Sequence, residues 1–240
     1  MREHRGLMMA KGLASNGAKV YIGGRRKDVV EKAAAEHGSK ISGELVPAGR
    51  VGATSGFLSD PNAPECSDTE TLGKALFYNE SFEGWSTAFS VNVSSVFFVS
   101  TAFLGLLENA SKAREAETGG WSSSIINITS GCGQAKLAQR HFAYNASKAA
   151  GIHLTKMLST ELALRSIPVR VNSIVPGAFP SEMTGSESES LRNNSSSFCT
   201  GRIKDIVGIV LYLVSPASYY VNGQALAVDG GFLAVNPAVV

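Results

Sequence analysis

The chain has 240 residues, 44% of them hydrophobic, and a formal net charge of +2. That length and apolar content predict one domain, 1–240, with a real core. The charge is too small for a nucleic-acid surface or an anionic-membrane binder. No apolar run reaches the roughly 18 residues that a spanning helix needs, so no membrane partner is expected. Lys11 and the glycines of MREHRGLMMAKG interrupt any signal-peptide core. Cys66, Cys132 and Cys199 are odd in number and far apart, with no C-x-x-C; they fit a reducing, cytoplasmic setting and give no metal site.

Taken in order, Gly6–Asn16 predicts a helix with Leu7, Met8, Ala10, Leu13 and Ala14 on one face and Gly17 as its cap. Lys19–Gly23 predicts a short strand, followed by the basic turn Arg25-Arg26 and a helix over Lys27–His37. Glu44-Leu45-Val46 opens a strand that Pro47 stops, and residues 48–73 read as loop. Phe82–Leu107 is a long apolar segment whose Trp85, Phe89, Val93, Phe97 and Leu104 fall near helical spacing, as in a core or a subunit interface. Asn92 is a polar residue inside that stripe and needs a partner. Asn109–Ser123 reads as a polar surface loop, Ser124–Ile128 as a strand, Ala143–Leu164 as a helix and Ile167–Val175 as a strand ending in Pro176-Gly177. Residues 181–200 are Ser-, Asn- and Glu-rich and read as a lid or a surface loop. A helix from Gly201-Arg202 to Ser215 and a last strand within Asn222–Gly231 complete the chain.

The chemistry concentrates between Asn127 and Gly151. Tyr144 and Lys148 are four apart and share one helix face. A free phenol titrates at about 10, and an adjacent ammonium favours the phenolate and lowers that value. Such a tyrosine can serve as acid to a carbonyl or base to an alcohol. Ser130 follows the apolar strand and sits where open α/β sheets bind ligands, at the strand's carboxyl end. With 6 Tyr and 11 Lys in the chain, chance supplies about 0.3 Tyr-x-x-x-Lys pairs, so the context carries the reading: strand, serine, Tyr-Asn-Ala-Ser-Lys, apolar helix.

That order resembles the short-chain dehydrogenase/reductases. Within them, the segments GFLSDPNAPE and HFAYNASKAA look like fungal reductases named after rhamnolipid-type 3-oxoacyl reductases. The resemblance implies an α/β fold, a Rossmann-like doubly wound parallel sheet, and an oxidoreductase acting on carbonyls or alcohols. It implies Ser130, Tyr144, Lys148 and Asn92 as the catalytic set, with Asn92 in its Val-Asn-Val setting kinking the helix and holding a relay water. It implies cofactor contacts at Gly6, Tyr144, Lys148, Pro176, Gly177, Phe179 and Ser181. Arg25 and Arg26 at the end of the second strand suit the 2′-phosphate of NADP rather than the 2′-hydroxyl of NAD; the other reading of that pair is a solvated turn.

Two pieces of the pattern are missing from the sequence: the strand and Gly-rich turn before Gly6, and the helix and strand expected between Val46 and Ala48-Gly49. The expected sheet therefore lacks its first and fourth strands. The expected partners are a small carbonyl or alcohol substrate and further copies of the chain as a dimer or tetramer. The alternatives are a catalytically inactive, shortened relative or a non-enzymatic oligomerising scaffold.

Overall fold

The computed structural model describes residues 5–23, 31, 32, 35, 41–44, 55–60, 62–118, 121–179, 201–236 and 238. Arg25, Arg26 and Ser181, the remnant Ala48-Gly49 and most of the helix expected over 27–37 lie outside them, although residues 31, 32 and 35 are helical.

Helix α1 spans Arg5–Ser15 and buries Met8, Ala10 and Ala14. Gly17 ends it with φ +91°, donating its N–H to Ala14 O at 3.1 Å while Ala18 N–H bonds Leu13 O at 3.1 Å. Strand β1, Val20–Gly23, pairs in parallel with β2, Ile41–Glu44. Ile41 and Gly43 pair with Val20 and Ile22, so the described strand precedes the expected one, whose Leu45 and Val46 lie outside the described residues.

The segment read as loop over 48–73 contains short 3-10 turns at Gly56–Ser59 and Pro64–Cys66 and the start of helix α2, Thr69–Asn79. Asp68 caps α2, its carboxylate accepting from Thr71 N at 2.9 Å. The long apolar segment is broken into α3, Phe82–Phe89, a π-helical turn at Ser90–Ser94, α4, Ser95–Ala102, and α5, Leu104–Thr118, with a 50° bend between α4 and α5. Among the described residues no single helix is long and apolar enough to cross a membrane. The surface loop expected over 109–123 is largely α5: Glu108 and Lys112 pair one turn apart at 2.6 Å, and buried Ser111 donates to Leu107 O at 3.0 Å.

Strands β3, Ser123–Ile128, β4, Val169–Pro176, and β5, Ala225–Val228, form a second parallel sheet in that order, with α6, Phe142–Leu164, and α7, Ile203–Val214, as crossovers. Alternation on β3 and β4 sends side chains to two layers. Ile126, Ile128 and Ile174 meet Ile206, Val210 and Leu213 of α7, together with Met9 and Leu13 of α1. Ile125, Val169 and Val171 meet Leu158 and Leu162 of α6 and Leu104 and Leu107 of α5. Helices therefore cover both faces, the doubly wound arrangement the sequence predicts. Among the described residues the two sheets share no hydrogen-bonded strand; α1 bridges them, packing on Val20 and Ile22 and, so tightly that a Cβ on Gly12 would lie 2.4 Å from Val207, on α7.

Arg170 of β4 is buried, and among the described residues its recorded partners are neutral oxygens. It donates to Ser122 Oγ, Ser218 O and Ser218 Oγ at 3.0 Å each and to Leu213 O at 3.1 Å, the last a carbonyl at the end of α7. Burial pulls its guanidinium below the ordinary value. Arg170→Ala would leave several buried acceptors unsatisfied and should lower stability by about 3 kcal/mol in chemical denaturation.

At the other end of α7, Asp205 accepts from the Arg202 guanidinium at 3.2 Å and from the Arg202 backbone N–H at 2.8 Å, which together lower its carboxyl below 3.8. That contribution is present above the unfolded value and is lost as pH falls through the folded one. Asp205→Asn should therefore flatten the fall in melting temperature below about pH 4, the carboxylate range.

Candidate active site at the carboxyl end of strand β3

Ser130 lies two residues beyond β3 and is buried. Its hydroxyl oxygen accepts from Cys132 N at 3.3 Å, and its carbonyl accepts from Gly133 N at 2.9 Å. These bonds fold Gly131–Gly133 into a 3-10 turn. Strand β3 is tied to α6 by Asn127 Nδ2 donating to Thr155 Oγ1 at 2.9 Å, so the end of the strand and the start of the helix are held in register.

Tyr144 is the third residue of α6 and is buried; Lys148 follows one turn later. The Lys148 ammonium lies 5.7 Å from the centre of the Tyr144 ring and donates to Ile128 O at 3.2 Å. The i,i+4 spacing thus sets the ammonium over the Tyr144 ring. The carbonyl that receives the ammonium also places it two residues from Ser130. Lys148 thus links Tyr144 to the strand end that leads into Ser130.

Asn92 joins them through an intermediary. It is buried in the π-helical turn, the local distortion that admits its side chain, and donates from Nδ2 to Ser147 Oγ at 2.9 Å. Ser147, fully buried, donates to Tyr144 O at 2.8 Å. Sequence reasoning missed Ser147. Its signal was present: a small hydroxyl three residues after Tyr144, on the helix face that must be buried.

Asn145 was missed as well. Its amide donates to Leu137 O at 3.1 Å and Ala138 O at 2.8 Å, fixing the connection that leads into α6. That connection includes Gln139 and Arg140 at φ 48° and 70°, a region that costs non-glycine residues energy. Ser55 N holds Arg140 O at 2.7 Å, and Cys132 Sγ donates to Gln139 Oε1 at 3.1 Å.

Of the expected cofactor contacts, Pro176 ends β4 opposite Val228. Gly177 N donates to Val228 O at 3.0 Å, and a Cβ on Gly177 would lie 2.7 Å from Asp229 Cα, so this close approach requires glycine. The Phe179 ring is buried in the core with Ile174, Ile206, Val210 and Leu213. Gly6 lies in the first turn of α1 and is exposed, with nothing within 4 Å of where its side chain would begin.

The family model for enoyl-(acyl carrier protein) reductase matches residues 69–233. A Diaporthe leptostromiformis short-chain dehydrogenase/reductase, PhomF, is 34% identical over 268 residues, covering 97% of this chain and 89% of its own length. This chain belongs to the short-chain dehydrogenase/reductase family. The Pseudomonas aeruginosa rhamnolipids biosynthesis 3-oxoacyl-[acyl-carrier-protein] reductase is 29% identical over 241 residues, covering 95% of this chain and 91% of its own. Among solved structures, a Pseudomonas aeruginosa RhlG/NADP active-site complex superposes with a TM-score of 0.72 at 26% identity, covering 96% of this chain and 92% of that one. The 268-residue alignment with PhomF is longer than the 240-residue chain, so the relative has positions for which this chain has no counterpart.

The Asn92–Ser147 bond makes a measurable claim. In a double-mutant cycle of Asn92→Ala and Ser147→Ala, read by denaturation, the two should couple by about 1 kcal/mol; strictly additive losses would mean the bond contributes nothing.

Proposed function

We propose that this chain is an NADP(H)-dependent ketoreductase that transfers hydride between the cofactor and a carbonyl or secondary alcohol. The observation that carries the reading is the Lys148 ammonium lying over the Tyr144 ring and on Ile128 O, two residues before Ser130 at the end of β3. A dinucleotide fits the residues on two counts. Lys148 puts a cation at the carboxyl end of a parallel strand, where ligands of open α/β sheets lie. Among the described residues nothing lies within 4 Å of where a Gly6 side chain would begin, in the N-terminal turn of α1 that could face a phosphate. Gly6, Tyr144, Lys148, Pro176, Gly177 and the backbone of Phe179 would hold the cofactor, with Ser181 on its phosphates and Arg25 and Arg26 on the 2′-phosphate.

The bound cofactor supplies the hydride. As the hydride adds to the carbonyl carbon, the C=O electron pair moves to oxygen. Ser130 orients that oxygen by hydrogen bonding. Tyr144 gives it the phenolic proton, completing the alcohol, and the Lys148 ammonium stabilises the phenolate left behind. Asn92 is assigned to returning the proton through a water near Lys148. Run in reverse, Tyr144 is the base for an alcohol.

The partners in this reading are a small carbonyl compound and a second copy of the chain. Phe98 and Leu106 are each 67% exposed on the α4–α5 side, and Leu164 of α6 is 75% exposed, apolar surface that a homo-oligomer would cover. The three cysteines, odd in number and with no C-x-x-C, suit the reducing cytoplasm.

A second reading has one observation in its favour: among the described residues the two sheets share no strand. On it, the Tyr–Lys arrangement persists in a chain that no longer binds dinucleotide and does no chemistry. Titration of the purified chain with NADPH, followed by fluorescence, separates the two. Saturable binding, tighter for NADPH than for NADH, is expected, and Arg25→Asp should erode the NADPH preference by about tenfold, the scale of one lost charge-assisted bond. Absence of binding by a folded chain decides for the second reading. With a carbonyl substrate, Tyr144→Phe should abolish turnover while the melting temperature stays within a few degrees; retained turnover removes Tyr144 from its role.

A further inference from the structure

We infer that Gly133 is a positioning residue of the candidate active site, and that no side chain is compatible with the site's geometry there. This inference rests on the proposed function. The turn that begins at Ser130 runs directly against the backbone of α6. A Cβ on Gly133 would lie 2.8 Å from both Lys148 C and Ala149 N and 3.0 Å from Lys148 O. These are backbone atoms inside a 23-residue helix, so the helix cannot yield as a flexible side chain would. The turn would have to move.

What moves with it is Ser130. Lys148 touches this stretch of chain at both ends: its peptide group lies on Gly133, and its ammonium lies on Ile128 O at 3.2 Å. Ser130 is between those two contacts. Inside the turn, Cys132 N bonds Ser130 Oγ and Gly133 N bonds Ser130 O, so a displacement at residue 133 passes to the Ser130 hydroxyl through two hydrogen bonds. On its other side the turn has ordinary room: a Cβ on Gly131 would stand 3.6 Å from the Phe232 ring and 3.7 Å from Pro176 O. The tight contact is therefore confined to Gly133. It sets how far the serine stands from the helix that bears Tyr144 and Lys148.

The test combines kinetics with hydrogen exchange. Gly133→Ala should lower kcat at least tenfold while KM for the carbonyl substrate changes less than threefold. In a Ser130→Ala background the same substitution should cost no more than twofold, because the group it displaces is already gone. Gly73→Ala, in a helix position with open space, is the control and should leave kcat unchanged. Wild-type kcat in Gly133→Ala, an equal loss with and without Ser130, or a chain that no longer folds would each overturn the inference.

Exchange needs no turnover. The Cys132 and Gly133 amides should exchange at least tenfold faster in Gly133→Ala, with the amides of β4 unaltered. Unchanged protection at 132 and 133, or acceleration throughout the molecule, overturns the inference even if the wild-type chain reduces no carbonyl. Failure of the wild-type chain to bind NADPH or turn over substrate refutes the proposed function alone.

Discussion

The contact between the turn after β3 and the backbone of α6 is the constraint on which the rest of the site depends. Parallel strands end in open chain whose polar groups need partners; here Thr129 bonds Ile174 O of β4 and the other contacts come from α6. Asn127 reaches Thr155, Ile128 O receives the Lys148 ammonium, and Gly133 rests on the Lys148–Ala149 peptide. Three contacts along seven residues leave the Ser130 segment little freedom to slide along α6. A proton donor, a cation and an orienting hydroxyl must stay within a fraction of an ångström of a reactive arrangement to be useful. Backbone contact and paired hydrogen bonds supply that more firmly than side chains on loops.

The layers around this contact are arranged to hold it. Helix α6 buries Leu158 and Leu162 against Val169 and Val171, while α7 and α1 close the opposite face around Ile174 and Phe179. Arg170 joins the beginning of β3 to the end of α7 through Ser122, Ser218 and Leu213. A buried cation with neutral oxygen partners is costly to desolvate, and helix-end carbonyls are suitable partners because their negative potential adds to the hydrogen bonds. The Phe179 ring belongs to this framework. It anchors the segment after β4 in the core.

The π-helical turn at Ser90–Ser94 solves a different problem. Asn92 is a buried amide in an apolar stretch and needs an acceptor. Widening one turn lets its amide reach Ser147, which is bonded in turn to Tyr144 O. The same distortion interrupts a segment whose composition alone reads as one continuous apolar helix. A buried network of this kind stabilises a single packing of the helices only when its members are satisfied, and here each of the two side chains donates to the next.

By short-range rules the sequence marked strands β3 to β5, the helices between them and the Tyr144–Lys148 spacing: apolar runs for strands, a 3.6-residue period for helices and a four-residue spacing for neighbours on one face; the doubly wound parallel fold was implied by the resemblance to the short-chain dehydrogenase/reductases that those residues carry. The sequence also showed that Asn92 required a partner and that Gly17 would cap α1. It misjudged α5 and the start of α2, where polar, strongly helix-forming residues look like loop until Ser111 is seen buried and Asp68 is seen capping. Only the tertiary structure decided that Ser147 receives Asn92, that Asn145 fixes the approach to α6, and that Gly133 must have no side chain. Those facts depend on two segments far apart in the chain meeting at a particular distance, and no local pattern of residues encodes a distance between elements.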